Sequence, residues 1–184
     1  MKEKLKELLT ESRYIHSLNV AECALKLAKI YNVDKDKVYK AALLHDCGKC
    51  LSHEQVDKVV KKNNIKLDEF EKDNRALSHA IIGVYVAKNE FGITDNDILN
   101  AIKYHTTGHA KMSLIEKIIY IADLIEKDRK FEGVEELRNL VFKKELDKAI
   151  LSSLNNTIKI VIKRNQMIHP RTIEARNYLT NKIY

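Results

Sequence analysis

The sequence predicts an all-α protein, a compact single-domain helical bundle, and three observations carry that expectation. Apolar residues recur at helical spacing almost from end to end, as in Ile15, Leu18, Val20, Ala24, Leu25, Leu27 and Ala28. Proline occurs once and glycine five times in 184 residues, so turns fall mostly to polar caps. Strand-like alternation is hard to find, and 45% hydrophobic content suffices for one good core.

Taken in order, the N-terminal MKEKLKELLTESRY alternates charge with leucine at helical spacing. Asp34 caps the helix opened by KDKVYKAALL, and Ser52 with Gln55 forms a capping-box pattern. Ser78 is the expected cap for HAIIGVYVAKNEF and Thr94 for DNDILNAIKYH, while Ser113 with Glu116 repeats the box. Pro170 suits the first turn of a last helix. The expected total is about seven to nine helices. The stretch Asn63 to Arg75 reads as loop, short helix or both.

The formal charge is +7, but lysines are spread along nearly every segment, which argues against a nucleic-acid surface and suits a small polyanion such as a nucleotide. No segment approaches the roughly 18 to 20 continuous apolar residues that span a bilayer, and the N-terminus lacks the apolar core of a secretory signal. Three cysteines, an odd number, fit a reducing compartment better than a disulfide framework. The expectation is a cytoplasmic protein without membrane or nucleic-acid partners.

Seven histidines are present. Five have a telling context: His16 in RYIHSLNV, His45 in LLHDCGK, His79 in LSHAIIG, His105 in KYHTTGH and His169 in MIHPRT. His53 and His109 lie in polar surroundings. Asp123 falls among Ile118, Ile119, Ile121 and Ala122, where a lone carboxylate is costly and wants a cation. Nitrogen and carboxylate ligands suit Fe, Mn or Zn, and ligands projecting from several helices into a bundle can build a metal site. Arg13 stands three residues before His16 on one helical face, and Lys49 follows Asp46 by about one turn. Cys47 and Cys50 form a Cys-x-x-Cys pair, but the chain shows no βαβ setting for redox chemistry, and only Cys23 remains toward a zinc site. They read as small residues at a helix end, with oxidation sensitivity of the pair a residual expectation.

The order His16, His45-Asp46, His79, His105, Asp123 resembles the HD-domain metal-dependent phosphohydrolases. With RYIHS, YHTTG, YIADLIE and a late NQ segment, about residues 8 to 180 resemble the bacterial HD-domain symmetrical diadenosine tetraphosphatases. The resemblance implies an HD-type bundle over residues 1–184 with a C-terminal helical extension from about residue 134. It also implies a divalent metal, most expectedly Fe with Mn as an alternative. His16, His45, Asp46 and Asp123 would hold that metal, and His79 and His105 would serve a second ion or the substrate phosphates. Asp46 would bridge two ions, if two are present. Asp46, Lys49, His79 and His105 are the implied catalytic set. Substrate contacts would come from Arg13, Asp46, Cys47, Gly48, Lys49, His79, His105, Asp123, Leu124, Arg129, Asn165, Gln166, Met167, Ile168, His169 and Pro170. The implied reaction is symmetrical hydrolysis of diadenosine tetraphosphate to two ADP. Another HD phosphohydrolase, acting on a mononucleotide, dNTP or guanosine polyphosphate, and a non-catalytic nucleotide binder stand as alternatives. A homodimer is among the assemblies left open.

Overall fold

Side-chain caps set most of the helix starts in the computed structural model, which describes residues 1–72 and 74–184. Among the described residues there are ten helices and no strand: α1 (Lys2–Leu8), α2 (Glu11–Tyr31), α3 (Lys35–Leu44), α4 (His53–Asn63), α5 (Arg75–Phe91), α6 (Asn96–Tyr104), α7 (Leu114–Ile125), α8 (Val134–Phe142), α9 (Leu146–Lys163) and α10 (Pro170–Ile183). One more than the upper expectation is present. Thr10 separates the short α1 from α2, its hydroxyl accepting the Arg13 N–H. Asp34 caps α3, and both capping boxes form, at Ser52 and Gln55 and at Ser113 and Glu116.

Two expected caps are displaced. Asn74, not Ser78, starts α5, because its side chain accepts the Ala76 N–H and opens the helix a turn earlier, leaving Ser78 buried inside. Asp95, not Thr94, starts α6, its carboxylate accepting from Asp97 and Ile98. A charged acceptor at a helix N-terminus also meets the helix dipole favourably. Within Asn63 to Arg75, α4 ends at Asn63 with Asn64 in the left-handed conformation, and a turn at residues 69–72 precedes α5; residue 73 lies outside the described residues.

Helix α7 is the axis of the bundle, packing against α2, α3, α6, α8 and α9. Residues 115–122 of it are all buried, with Ile118, Ile119 and Ile121 fully so. Leu27 of α2, Leu43 and Leu44 of α3, Ile82 of α5 and Ile102 of α6 complete this core. Each fully buried aliphatic side chain contributes about 1.5–3 kcal/mol of transfer free energy. The same packing brings one turn of α2, the ends of α3 and α6, the first half of α5 and the last turn of α7 to a common point.

Candidate metal centre

Helix ends carry two of the candidate ligands. His45 and His105 each follow the last residue of a helix, α3 and α6, where main-chain carbonyls lack intrahelical partners. Each ring donates from Nδ1 to the carbonyl three residues back, His45 to Ala42 O at 2.7 Å and His105 to Ile102 O at 2.8 Å. His79, inside α5, bonds the Arg75 carbonyl at 3.0 Å in the same manner. His16 of α2 turns its Nδ1 to Glu126 Oε1 at 3.3 Å. With the proton held on Nδ1 in all four rings, each Nε2 keeps its lone pair, which is how protein scaffolds prepare histidine to bind a metal.

The four Nε2 atoms converge on two carboxylates. His16 Nε2 lies 2.9 Å and His45 Nε2 3.9 Å from Asp123 Oδ1. Asp46 faces both sides of the cluster: Oδ2 is 3.8 Å from His45 Nε2, and Oδ1 is 3.0 Å from His79 Nε2 and 3.5 Å from His105 Nε2. The Nε2 atoms of His79 and His105 stand 3.1 Å apart. Ligand atoms of His16, His45 and Asp123, and those of His45, Asp46 and His105, are close enough to share an ion.

The donor set fits a divalent metal on an observation of the chain itself. His16 Nε2 and His45 Nε2 are buried polar atoms without a hydrogen-bond partner, a costly state for any group removed from water. Lone pairs face a carboxylate and one another across short distances, so a cation is the missing partner. Mixed imidazole and carboxylate donors suit Fe, Mn or Zn.

Electrostatics agree. Burial pushes the His45 pKa down to about 4 and also lowers that of His79, so both rings stay neutral and able to ligate. Burial alone would raise Asp46, but its close imidazole neighbours, His45 first and then His105 and His79, outweigh it and hold the carboxyl below its ordinary value. Asp123 is likewise held low against burial by His16, His45 and Arg129.

Three cations surround the cluster. Arg13 Nη1 is 3.2 Å from Asp46 Oδ2. Lys49 Nζ is 3.3 Å from the His79 ring nitrogens and 4.0 Å from Asp46 Oδ1, and burial lowers its pKa. Arg129 clasps Asp123, donating to its carboxylate at 2.6 Å and its carbonyl at 2.8 Å. A cavity of about 400 Å³ lined by Ser12, Arg13, His16, Glu126, Asp128 and Arg129 opens beside them.

Other expected contacts take a different form. Cys47 is fully buried, and its thiol donates to Gly83 O at 3.3 Å; burial pushes its pKa up, so the side chain faces α5 rather than a ligand. Gly48 leaves room for α5, not for a phosphate, since a Cβ there would lie 2.5 Å from His79 O and 2.8 Å from Gly83 N. Asn165, Gln166 and Met167 form an exposed stretch after α9, Ile168 is half-buried and Pro170 opens α10. His169 is spent structurally: Nδ1 accepts the Arg171 N–H, so Nε2 carries the proton toward Asp68, 3.2 Å away. Arg171 also pairs with Asp68 and Glu71, which makes that His/carboxylate group a salt-bridged latch rather than a metal site.

Glu126 was not singled out from the sequence. It caps α7 three residues after Asp123, is buried, and ties His16 to the following turn by also accepting the Asp128 N–H at 2.8 Å. The signal was its position one helical turn beyond a ligand in YIADLIE.

A helical bundle holding a His/Asp cluster in the order His, His-Asp, His, His, Asp defines an HD-domain protein. The HD domain family matches residues 13–128, and the chain belongs to that family. It is 42% identical over 175 residues to a symmetrical bis(5'-nucleosyl)-tetraphosphatase of Halalkalibacterium halodurans, covering 95% of this chain and 92% of the relative. It is 38% identical to the Bacillus subtilis protein of the same name, covering 96% and 94%. The crystal structure of a predicted HD superfamily hydrolase involved in NAD metabolism from Clostridium acetobutylicum superposes with a TM-score of 0.93 at 46% identity, covering 98% and 95%.

Proposed function

We propose that the protein is a symmetrical bis(5'-nucleosyl)-tetraphosphatase that hydrolyses diadenosine tetraphosphate to two ADP. The observation that carries this reading is the six-residue cluster with buried, unpartnered Nε2 atoms, in a chain that nearly spans relatives bearing that name. Residues 1–184 are read as one HD domain, with α8 to α10 its C-terminal extension. No helix of the described residues is long and apolar enough to cross a membrane, and a cytoplasmic location is part of the proposal.

His16, His45, Asp46 and Asp123 would hold the metal, with Asp46, His79 and His105 offering a second position; Fe is the metal proposed. When bound, a divalent metal lowers the pKa of a coordinated water and polarises phosphoryl oxygens. The chain does the rest. Backbone carbonyls and Glu126 hold the protons on Nδ1, which keeps four Nε2 lone pairs turned inward. Lys49 and Arg13, flanking Asp46, are placed to offset charge on the bridging phosphates, and Arg129 orients Asp123 and offers a free guanidinium edge. Water attacks one of the two central phosphorus atoms, the central phosphoanhydride bond breaks, and the leaving ADP departs with its new negative charge opposite these cations. Such a reaction depends mainly on positioning and electrostatics.

Incubation of the metal-loaded protein with diadenosine tetraphosphate, followed by ion-exchange chromatography, tests the reading. ADP as sole product supports it. AMP plus ATP, or cleavage of a mononucleotide with the dinucleotide left intact, overturns it.

A further inference from the structure

Outside the His/Asp cluster, a cavity of about 630 Å³ lies between the end of α7, the approach to α8 and the second half of α9. That volume is within the roughly 300–1,000 Å³ of small-molecule sites. Its walls are of three kinds. Leu124, Phe131, Leu137 and Ile160 give apolar surface, Asn156 and Thr157 of α9 give an amide and a hydroxyl, and Glu132, Glu136 and Lys159 give charge. The cavity beside Arg13 and Arg129 is different, lined mostly by ionic groups that suit phosphate.

The larger cavity is bordered by the α7 turn that carries Asp123. Leu124 follows Asp123 in α7, and Phe131 comes two residues after Arg129, whose guanidinium is on the Asp123 carboxylate. One turn back from Leu124, the buried Tyr120 hydroxyl meets Ser153 and Thr157 at the α9 side; burial first, and the nearby Asp123 charge among lesser causes, push its pKa up to about 12. The cavity wall and the Asp123 carboxylate thus belong to the same turn of α7.

We propose that this α7–α9 cavity receives one of the two nucleobases of the dinucleoside polyphosphate, its plane against Phe131 and its edge toward the Asn156 amide. The inference rests on the tetraphosphatase reading and deepens it. Phe131 is 41% exposed, so its ring is available for stacking. A side-chain amide carries the adjacent donor and acceptor that match an adenine edge. A substrate with a nucleoside at each end needs base sites away from the phosphates, and a wall that offers an aromatic ring and a side-chain amide meets that need better than the arginine-flanked cavity, which offers neither a phenyl ring nor an apolar wall of that size.

The test uses the full-length, metal-loaded protein in two arms. In the first, Phe131→Ala and Asn156→Ala are assayed with diadenosine tetraphosphate; KM rises about fivefold or more while kcat stays within about twofold. Unchanged KM in both variants, or a loss confined to kcat, overturns the proposal. In the second, Phe131→Trp places a single tryptophan in a chain that has none, and saturating ADP changes its emission whereas inorganic phosphate does not. Equal response to both, or to neither, overturns it. The second arm reads the cavity directly, so a parent protein that makes no ADP from the dinucleotide would sink the tetraphosphatase reading without deciding this one.

Discussion

His16 places Nε2 2.9 Å from Asp123 Oδ1 while its Nδ1 lies 3.3 Å from Glu126 Oε1, so one ring spans a proposed ligand and the carboxylate that orients it. Both partners come from the last turn of α7 and its cap, and the ring from α2. Outer carboxylates of this kind fix the tautomer and raise the basicity of the ligating nitrogen.

Glu126→Gln keeps the size of the side chain and an acceptor for Asp128 but weakens the grip on the His16 proton. The expected outcome is a roughly 10- to 100-fold loss of metal affinity, read by competition with a chromogenic chelator, with an unchanged circular dichroism spectrum. Affinity equal to that of the parent would contradict the role given to Glu126.

Asp123→Ala removes a carboxylate shared by His16 and His45 and frees Arg129. Metal content measured on freshly purified protein should fall to near background, and turnover should drop by more than the ~100-fold upper figure for an orienting residue. A variant that kept both metal and activity would show the site to be elsewhere.

Gly48→Ala should destabilise, because the added Cβ meets the α5 backbone at His79 O and Gly83 N. Backbone cannot yield as a flexible side chain does, and overpacking costs about 1–3 kcal/mol. The urea midpoint should fall accordingly; a midpoint equal to the parent's would mean that α3 and α5 separate freely.

Acid should unfold the metal-free protein through His45. Its folded pKa, about 4, lies below the ordinary 6.5 because burial disfavours the charged ring. The unfolded chain therefore takes up the proton first, and stability present above 6.5 is lost as pH falls toward 4. At about 1.4 kcal/mol per unit the loss is on the order of 3 kcal/mol. Asp46 and Asp123, held below their ordinary value, add a loss only below about 3.8. Urea midpoints at pH 7.5, 6 and 4.5 test this, and a flat profile would refute it.

The Cys47 thiol should resist modification in the native state, being fully buried, bonded to Gly83 O and raised in pKa by burial. A thiol-reactive chromophore should leave it unlabelled until denaturant is added. Rapid native labelling at Cys47 would revive the oxidation-sensitive pair.

Much of this was legible along the chain. Periodicity gave the all-α class, and local chemistry gave three of the five caps named, since a capping box needs only residues three apart. Ser78 and Thr94 failed because Asn74 and Asp95 offered competing acceptors, and sequence does not rank two neighbouring caps. The ligand order marked His16, His45, Asp46, His79, His105 and Asp123, all of which meet in one cluster. Glu126 escaped notice since a glutamate one turn from a ligand looks like any solvated charge until the fold buries it.

What the sequence determined by itself was therefore the helical class, most helix starts and the set of residues able to bind a metal, because each depends on spacing within a turn or two. What the tertiary structure decided was which side chains point inward. Gly48 and Cys47 turned toward α5, His169 was consumed by Asp68 and Arg171, and Glu126 was drawn in behind His16. Those outcomes depend on how α2, α5 and α7 pack across stretches far apart in the chain, and burial, not identity, gives a side chain its role there.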